Sequence, residues 1–367
     1  MASSAVLVGC GGGGGLTALV PGTGGTGSPV FAQGSISGFG SVILNGITFD
    51  DTQASVQING LPANSSDLRL GMVADVEGDR DSANLTLATA RSIAVWSLAN
   101  GQVQALGASS FSIMGMVCLV NANTVFDGFN ALAQVQPGQR LTVWGLQANA
   151  DASQWQATRV ALSTDAVDAA TGLLQSSGGG WQLNGLRLTG AFDAQSHAGR
   201  LVRVLGAVSV DGRSFDVGQI IDVDASSLKP SEGEAEIEGF VTRIDSAQRF
   251  AMGTIEVDAS RASQDPVGAV LRLGARIEIY GYWSNGLLVA NHVEFEDEQT
   301  LHEAELKGEV TQFNSIANFL VRGQRVDASA AVFSHGSASD LRNGVKVKVK
   351  GTKAGDVVQA TKVEFDD

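Results

Sequence analysis

The sequence predicts an all-β protein made of five similar units in tandem. Three observations support this prediction. Apolar and polar residues alternate along many short runs, as they do in strands with one buried face. Asn-Gly and Asp-Gly pairs separate these runs, and such pairs favour the type I′ turns of β-hairpins. Three sequence signatures also recur five times in the same order, which indicates a repeat protein rather than two or three unrelated domains.

The first signature opens each unit with a glycine that is followed by an alternating run. These glycines are Gly34, Gly101, Gly172, Gly239 and Gly308. Turn-forming pairs follow within the units, and they include Asn45-Gly46, Asn59-Gly60, Asp127-Gly128, Asn184-Gly185, Asp211-Gly212 and Asn285-Gly286. The high glycine content, 46 of 367 residues, therefore comes largely from turns and strand starts.

The middle of each unit is predicted to hold one short helical turn and then a strand between two glycines. Segments 66–71 and 339–344 begin with residues suited to a helix N-cap and end with glycine, which terminates helices. Segments 135–138 and 270–274 occupy the same place in other units. The strand that follows is the second signature, and its glycine pairs lie at 71 and 78, 138 and 145, 199 and 206, 274 and 281, and 344 and 351.

The third signature closes each unit with another alternating strand. The predicted units are 33–97, 98–163, 164–227, 234–298 and 303–367, after a leader at 1–32. Each contains five or six short strands, and a flat sheet of that size would leave open edges, so we expect closure into a barrel. A short helix midway is typical of the OB fold. The predicted architecture is five OB-like barrels, joined as a string of beads with limited bending.

Several of these motifs resemble a bacterial family called domain of unknown function 5666, which occurs in tandem in predicted lipoproteins. The resemblance rests on Gly-Ser-Ile-Ser-Gly-Phe-Gly-Ser-Val at 34–42, Asn-Gly at 45–46, Ser-Asp-Leu-Arg-Leu-Gly-Met-Val at 66–73 and Val-Glu-Gly at 76–78. It covers nearly all of 33–367, with the first unit most similar and the second and third most divergent. It implies no catalytic residue.

The start of the chain resembles the lipobox of bacterial lipoproteins, because Leu7-Val8-Gly9 precedes Cys10. The resemblance implies lipidation of Cys10 and anchoring to a membrane, since each buried CH₂ of an acyl chain favours the bilayer by about 0.8 kcal/mol. The glycine-rich segment 11–32 is suited to a flexible tether. A glycine-rich leader with a chance cysteine is the alternative.

The apolar run before Cys10 is shorter than a signal peptide requires and has no basic residue before it, so we expect further leader sequence upstream. The predicted location is the bacterial cell envelope, as an outer-membrane lipoprotein that faces the periplasm or the surface.

One acidic segment is a candidate metal site. Asp75, Glu77, Asp79 and Asp81 alternate across a predicted strand end and turn, where their oxygens could bind Ca²⁺ from one side. The spacing is not that of an EF-hand and Arg80 intervenes, so a solvated hairpin tip is the alternative. The sequence contains no zinc, nucleophile-elbow or phosphate-loop motif, and we predict no catalytic residue and no cofactor.

Two further groups are candidate binding residues. Trp144, Tyr280 and Trp283 lie near strand ends, where exposed rings could stack on sugars, and core packing is the alternative for all three. Lys346, Lys348 and Lys350 alternate with valines in the last unit. These lysines form either a solvated strand face that discourages edge pairing or a patch for an acidic partner or a polyanion.

The net charge of −14 argues against nucleic acid as a partner, because phosphate binding requires clustered lysine or arginine. The favoured hypothesis is a non-enzymatic, lipid-anchored envelope protein whose barrels act as a spacer or binding array for a polysaccharide or protein partner. The first alternative is an envelope hydrolase or metal-dependent enzyme with a site between barrels. The second is an OB-type nucleic-acid binder, which the acidic charge disfavours.

Overall fold

The structure is a computed structural model that describes residues 28–223, 232–296 and 303–366. The lipobox, with Cys10, lies outside the described residues. Strands dominate the described ranges, where the helical elements are four one-turn 3-10 helices, η1–η4. No helix in these ranges has the length and apolar character needed to cross a membrane.

Each predicted unit contains one small barrel. Barrel 1 consists of β1 (Ser28–Ser35), β2 (Gly38–Phe39), β3 (Val42–Leu44), β4 (Ile47–Asp50), β5 (Ser55–Ile58), β6 (Leu61–Ala63), η1 (Ser65–Asp67), β7 (Val73–Arg80) and β8 (Leu87–Val95). Barrel 2 consists of β9 (Ala99–Leu106), β10 (Ser110–Ile113), β11 (Met116–Leu119), β12 (Val125–Asp127), η2 (Leu132–Gln134), β13 (Arg140–Gln147) and β14 (Gln154–Leu162). Barrel 3 consists of β15 (Asp168–Ser177), β16 (Gly180–Leu183), β17 (Leu186–Thr189), η3 (Gln195–His197), β18 (Leu201–Val208) and β19 (Ser214–Asp222).

The last two barrels follow the same order. Barrel 4 consists of β20 (Glu232–Phe240), β21 (Arg243–Ser246), β22 (Arg249–Met252), β23 (Ile255–Asp258), β24 (Ser263–Asp265), β25 (Arg276–Ser284) and β26 (Leu287–Phe295). Barrel 5 consists of β27 (Glu303–Ser315), β28 (Asn318–Val321), β29 (Gln324–Asp327), β30 (Val332–Ser334), η4 (Ala338–Asp340), β31 (Lys346–Ala354) and β32 (Val357–Phe365).

All five barrels close through the same strand pairing. In barrel 3, the first strand β15 pairs antiparallel with β16 and with β18, β16 pairs with β17, and β19 pairs parallel with β17 and antiparallel with β18. The order 1-2-3-5-4-1 is that of an OB-type barrel, which is partly open, so that closure pairs most but not all of the strand edges. The predicted array of five OB-like barrels is confirmed.

Two details of the prediction are wrong. β1 begins at Ser28, so residues 28–32, predicted as part of the tether, form a strand that pairs with β7. In barrel 4, the predicted helical turn at 270–274 is absent from the described elements. The backbone around this segment makes two separate turns instead, closed by Ala269 N–H to Pro266 O at 3.1 Å and Ala275 N–H to Arg272 O at 3.1 Å.

The glycine pairs of the second signature now have a physical explanation. The opening glycines (71, 138, 199, 274 and 344) have φ between +72° and +84°, which L side chains rarely adopt. The closing glycines mark a register shift between the fourth and fifth strands in every barrel (78, 145, 206, 281 and 351). A Cβ at any of these positions would collide with a carbonyl oxygen of the fifth strand. Such bulges bend and twist a strand, which allows a small sheet to close.

The barrels do not form the expected string of beads, because first strands pair between barrels. Residues 30–33 of β1 pair parallel with 234–237 of β20, which joins barrel 1 to barrel 4. β2 pairs parallel with β27 of barrel 5, and β9 pairs antiparallel with β15 of barrel 3. Phe31 of β1 is 1% exposed and belongs to the apolar core of barrel 4. Barrel 1 therefore contacts barrels that are far from it in the sequence.

Buried charges lie at the junction of barrels 1 and 4. Arg80 forms an ion pair with Glu236, and its Nε lies 3.4 Å from a carboxylate oxygen of Glu234. Glu238 accepts a hydrogen bond from the backbone N–H of Ser35 at 2.8 Å and pairs with Arg276 of its own barrel. Because an unpaired buried charge is costly, these pairs favour one docked arrangement of the two barrels.

The closing glycines predict that alanine lowers stability at these positions and not at other glycines nearby. Gly206→Ala places a Cβ against the carbonyl oxygen of Asp216, whereas at Gly218 in the same barrel the nearest atom is at an ordinary 3.5 Å. We expect Gly206→Ala to lower the free energy of unfolding by about 2 kcal/mol or more, because the two strands must shift apart to relieve the clash between the new Cβ and this carbonyl oxygen. Gly218→Ala is the matched control, and urea unfolding of both variants is the measurement. Equal stability of the two variants would contradict this explanation.

Candidate functional site

A cavity of about 490 Å³ lies where barrels 1, 2, 3 and 4 meet. Each barrel contributes side chains to it, among them Asp75 from β7, Trp155 from β14, Asn184 from the β16–β17 turn and Glu256 from β23. The volume lies within the range of roughly 300–1,000 Å³ that is typical of small-molecule sites. Because four barrels form its walls, the cavity exists only in the docked arrangement.

Two tryptophans form aromatic parts of the wall. Trp96 follows β8 at the joint between barrels 1 and 2, and Trp155 lies near the start of β14. Both rings are half-buried, so each packs on the protein and still presents some surface. The indole N–H of Trp155 donates to the backbone carbonyl of Ala152 at 2.7 Å, which fixes the orientation of this ring.

Side-chain amides supply polar groups to the cavity. Asn184 has a φ of +51°, and its amide donates to the carbonyl of Thr171 at 2.8 Å, close against Gly172. Gln33 donates to Asp75 at 2.7 Å and Gln147 donates to the carbonyl of Asn149 at 2.7 Å. Since an amide oxygen can accept two hydrogen bonds, these side chains retain acceptor capacity for a ligand.

Asp75 differs from the other carboxyl groups of the wall. Glu256 pairs with Arg243 at 2.6 Å, Glu238 pairs with Arg276, and exposed Asp151 accepts a hydrogen bond from Ser153 at 2.7 Å. Asp75 is 9% exposed and bonds to the amide of Gln33. Burial raises the pKa of Asp75 to about 7, and the Gln33 hydrogen bond opposes this shift only in part. The carboxyl group is therefore partly protonated near neutral pH, and in that form it can also donate a hydrogen bond.

The structure does not assemble the predicted calcium ligands. Asp75 is buried beside Gln33, Asp79 pairs with Arg91, and Asp81 accepts hydrogen bonds from the backbone of its own turn. No group of three or more His, Cys, Asp or Glu side chains is arranged to hold a metal ion within the described ranges, and this covers Glu77 as well. Each of the three carboxylates with a named contact bonds to a different part of the protein, so the alternation in sequence does not produce a shared site.

The three predicted aromatic binding residues pack within the protein. Trp283 is 2% exposed in the core of barrel 4, and Trp144 is 5% exposed with the guanidinium of Arg159 at 6.0 Å from its ring centroid. Tyr280 is half-buried under Arg80, whose guanidinium lies 5.2 Å from the ring centroid. Trp144 and Trp283 are therefore not exposed for stacking on a ligand, and core packing was the correct alternative for both.

The predicted lysines lie together on the solvent-facing side of β31. Lys348 and Lys350 both pair with Glu305 of the neighbouring strand, at 2.6 and 3.1 Å, and Lys346 is exposed. Burial and hydrogen bonds act in opposite directions on Glu305, and the two lysines keep its pKa below the usual range. Two of the three lysines therefore share one carboxylate of barrel 5, which balances one of their positive charges.

The cavity side chains Gln33, Trp96, Trp155 and Asn184 were not predicted as site residues. Asn184 was identified only as part of an Asn-Gly turn. The sequence spacing of these residues holds no signal for the site, because the walls come from four separate barrels.

The buried carboxyl of Asp75 predicts a pH-dependent stability. Its pKa rises from 3.8 in the unfolded chain to about 7 in the folded one. Its contribution to the stability of the fold is therefore full below pH 3.8 and is lost as pH rises through 7. Asp75→Asn does not titrate and therefore keeps its stability over this range. We expect its free energy of unfolding, relative to that of the unaltered protein, to rise by about 2 kcal/mol between pH 5.5 and pH 8. Urea unfolding at both pH values measures this.

Asp81→Asn, which removes an exposed carboxylate six residues away, is the control for loss of a negative charge. An Asp75→Asn stability difference that stays constant with pH would refute the assignment.

Three of the barrels match a known protein family. The family model "Domain of unknown function (DUF5666)" matches residues 100–161, 238–294 and 307–364, in barrels 2, 4 and 5. The matched ranges include the second unit, which the motifs had placed among the divergent ones, and not the first, which they had placed closest. No curated protein matches the chain.

A solved structure described as "drosophila Unr CSD456" is 12% identical in sequence, and the match covers 64% of this chain and 84% of that one. Its TM-score is 0.15, which is too low to support an argument. The family match and the repeated fold agree: the chain carries tandem repeats that resemble the domain of unknown function 5666, and three of them match its family model.

Proposed function

We propose that this chain is a non-enzymatic, lipid-anchored protein of the bacterial cell envelope that binds a saccharide unit of an envelope polysaccharide. The observation that carries the proposal is the cavity of about 490 Å³ between four barrels. Its wall combines the tryptophans Trp96 and Trp155 with side-chain amides and the buried carboxyl of Asp75.

The chemistry of this wall suits an uncharged polyhydroxylated ring. Indole faces pack against the C–H faces of a sugar, while amide oxygens and a partly protonated carboxyl group exchange hydrogen bonds with its hydroxyl groups. A phosphate or carboxylate ligand would meet Asp75, Asp151 and Glu256, with Arg243 already engaged by Glu256. The wall therefore favours a neutral ligand over an anionic one, which also disfavours nucleic acid.

The proposal assigns one binding site to the whole chain instead of one to each repeat. Four barrels supply the wall, and barrel 5 supports the arrangement through the pairing of β27 with β2. Domain interfaces are common places for ligand sites because they form clefts between rigid units.

A hydrolase remains the second candidate because of one observation. The raised pKa of Asp75, which burial causes, is a property of general acids in glycosidases. Glycosidases require a second carboxylate across the bond. The other carboxyl groups of the wall are either paired with arginine or exposed, which supports binding over catalysis.

The saccharide proposal predicts loss of binding in Trp155→Ala. The probe is an array of neutral and acidic bacterial oligosaccharides, followed by titration of the best neutral ligand with calorimetric detection. We expect Trp155→Ala to weaken binding about five- to 150-fold, since removal of a stacking ring costs about 1–3 kcal/mol by analogy with base–aromatic stacking. Preference for acidic glycans, or hydrolysis of the bound one, would contradict the proposal.

The matched control is Trp181→Ala. Trp181 is half-buried in β16 of barrel 3 and does not line the cavity. This variant should bind the saccharide with unchanged affinity. Equal loss of affinity in both variants would indicate a general effect on folding and would remove the support for a stacking role.

The anchor predicts lipid labelling that depends on Cys10. The gene with its upstream leader is expressed in a bacterium grown with radiolabelled palmitate. We expect the label and membrane association in the unaltered protein and in Cys118→Ser, whose thiol is buried in barrel 2, and complete loss in Cys10→Ser. Label that persists in Cys10→Ser would exclude this anchor.

A further inference from the structure

A second, smaller cavity lies where barrels 1, 2, 4 and 5 meet. Its volume is about 20 Å³, and its wall includes Ser35, Asn121, Thr158, Arg276 and Lys353. A space of roughly 10–15 Å³ already holds one water molecule, so this cavity has room for a single small species.

Lys353 is a buried cation at this cavity. It lies near the end of β31 on the same side as Val347 and Val349, opposite the exposed face of Lys346 and Lys350. Lys353 is 6% exposed, and the described residues provide it with no hydrogen bond and no ion pair. An ammonium group in such a position is costly unless an opposite charge balances it.

The neighbouring charges do not provide that balance. Arg276 and Glu238 of barrel 4 pair with each other, and Arg159 of barrel 2 pairs with Asp127. The pKa of Lys353 is lowered to about 8, chiefly by burial; Arg276 and Arg159 contribute to this shift and Glu238 opposes it. The two arginine–carboxylate pairs are internally neutral, so the Lys353 ammonium leaves one unmatched positive charge.

The other polar groups of the wall add hydrogen-bond donors. The hydroxyl oxygen of Thr158 is buried without a hydrogen-bond partner among the described residues. Asn121 contributes an amide, and its oxygen already accepts from the backbone N–H of Asn123 at 2.9 Å. A buried cation and the unpartnered hydroxyl of Thr158 beside a space for one small species are suited to an anion.

We propose that this cavity binds one monatomic anion of the size of chloride, with Lys353 as its counter-charge. Thr158 and Asn121 donate to the anion, and Arg276, which is paired with Glu238, forms part of the wall. Phosphate and carboxylate ions exceed the available volume. Because the donors come from barrels 2 and 5 and the wall continues into barrels 1 and 4, the anion stabilises the docked arrangement of these four barrels.

The test compares the thermal unfolding of the whole protein in sodium chloride and in sodium gluconate at equal ionic strength, since gluconate is too large for the cavity. We expect Tm to be higher in chloride by about 2 °C or more, because a ligand that binds only the folded state stabilises it by mass action. A crystal soaked in sodium bromide should give an anomalous peak beside Lys353.

Lys353→Met retains the apolar stem of the side chain and should abolish the difference in Tm between chloride and gluconate. Lys350→Met removes an exposed lysine of the same strand and should retain the difference. If Lys353→Met does not fold, Thr158→Val provides the second test, and its chloride effect should be smaller. Equal Tm values of the unaltered protein in both salts, or a bromide-soaked crystal without a peak in the cavity, would overturn the proposal.

Discussion

The fold depends on a close approach between two backbones. In every barrel the fifth strand carries a bulge of one extra residue opposite the closing glycine of the fourth strand. Beside the bulge, a carbonyl oxygen of the fifth strand occupies the place that a Cβ of the fourth strand would take, and glycine is found there each time. The bulge bends the fifth strand, which pairs antiparallel with the fourth strand and parallel with the third. That bend allows a barrel with so few strands to close. The closing glycine of the second signature recurs in every unit because the bend requires it.

Closure also determines how the barrels meet. The first strand of barrel 1 pairs with β7 on one side and retains a free edge on the other, where β20 of barrel 4 adds in parallel. The surfaces brought together in this way are charged as well as apolar. Burial raises the pKa of Glu278 and of Glu236, and Arg80 offsets the effect on Glu236. Paired buried charges contribute more to the choice of one arrangement than to its stability.

Both cavities are consequences of this arrangement. The larger one needs walls from barrels 1, 2, 3 and 4, and the smaller one needs barrels 1, 2, 4 and 5. Asp75 and Lys353 illustrate the shared principle, since each is an ionisable group that docking removes from water and that the protein leaves without an opposite charge. Such groups are expensive in a purely structural role, which is why they indicate places where a ligand belongs.

The sequence by itself determined the local features of this protein. Alternation, turn pairs and bracketing glycines specified the strands, the five repeats and the OB-like closure, because each is an interaction between residues close in the chain or a steric requirement of one backbone position. It located the exposed face of Lys346 and Lys350 but could not indicate that Lys353 is buried against other barrels. Only the tertiary structure decided which barrels touch. That choice rests on strand edges and charges that lie far apart in the chain, such as Ser35 and Glu238 or the paired strands β2 and β27, and no periodicity in the chain encodes it.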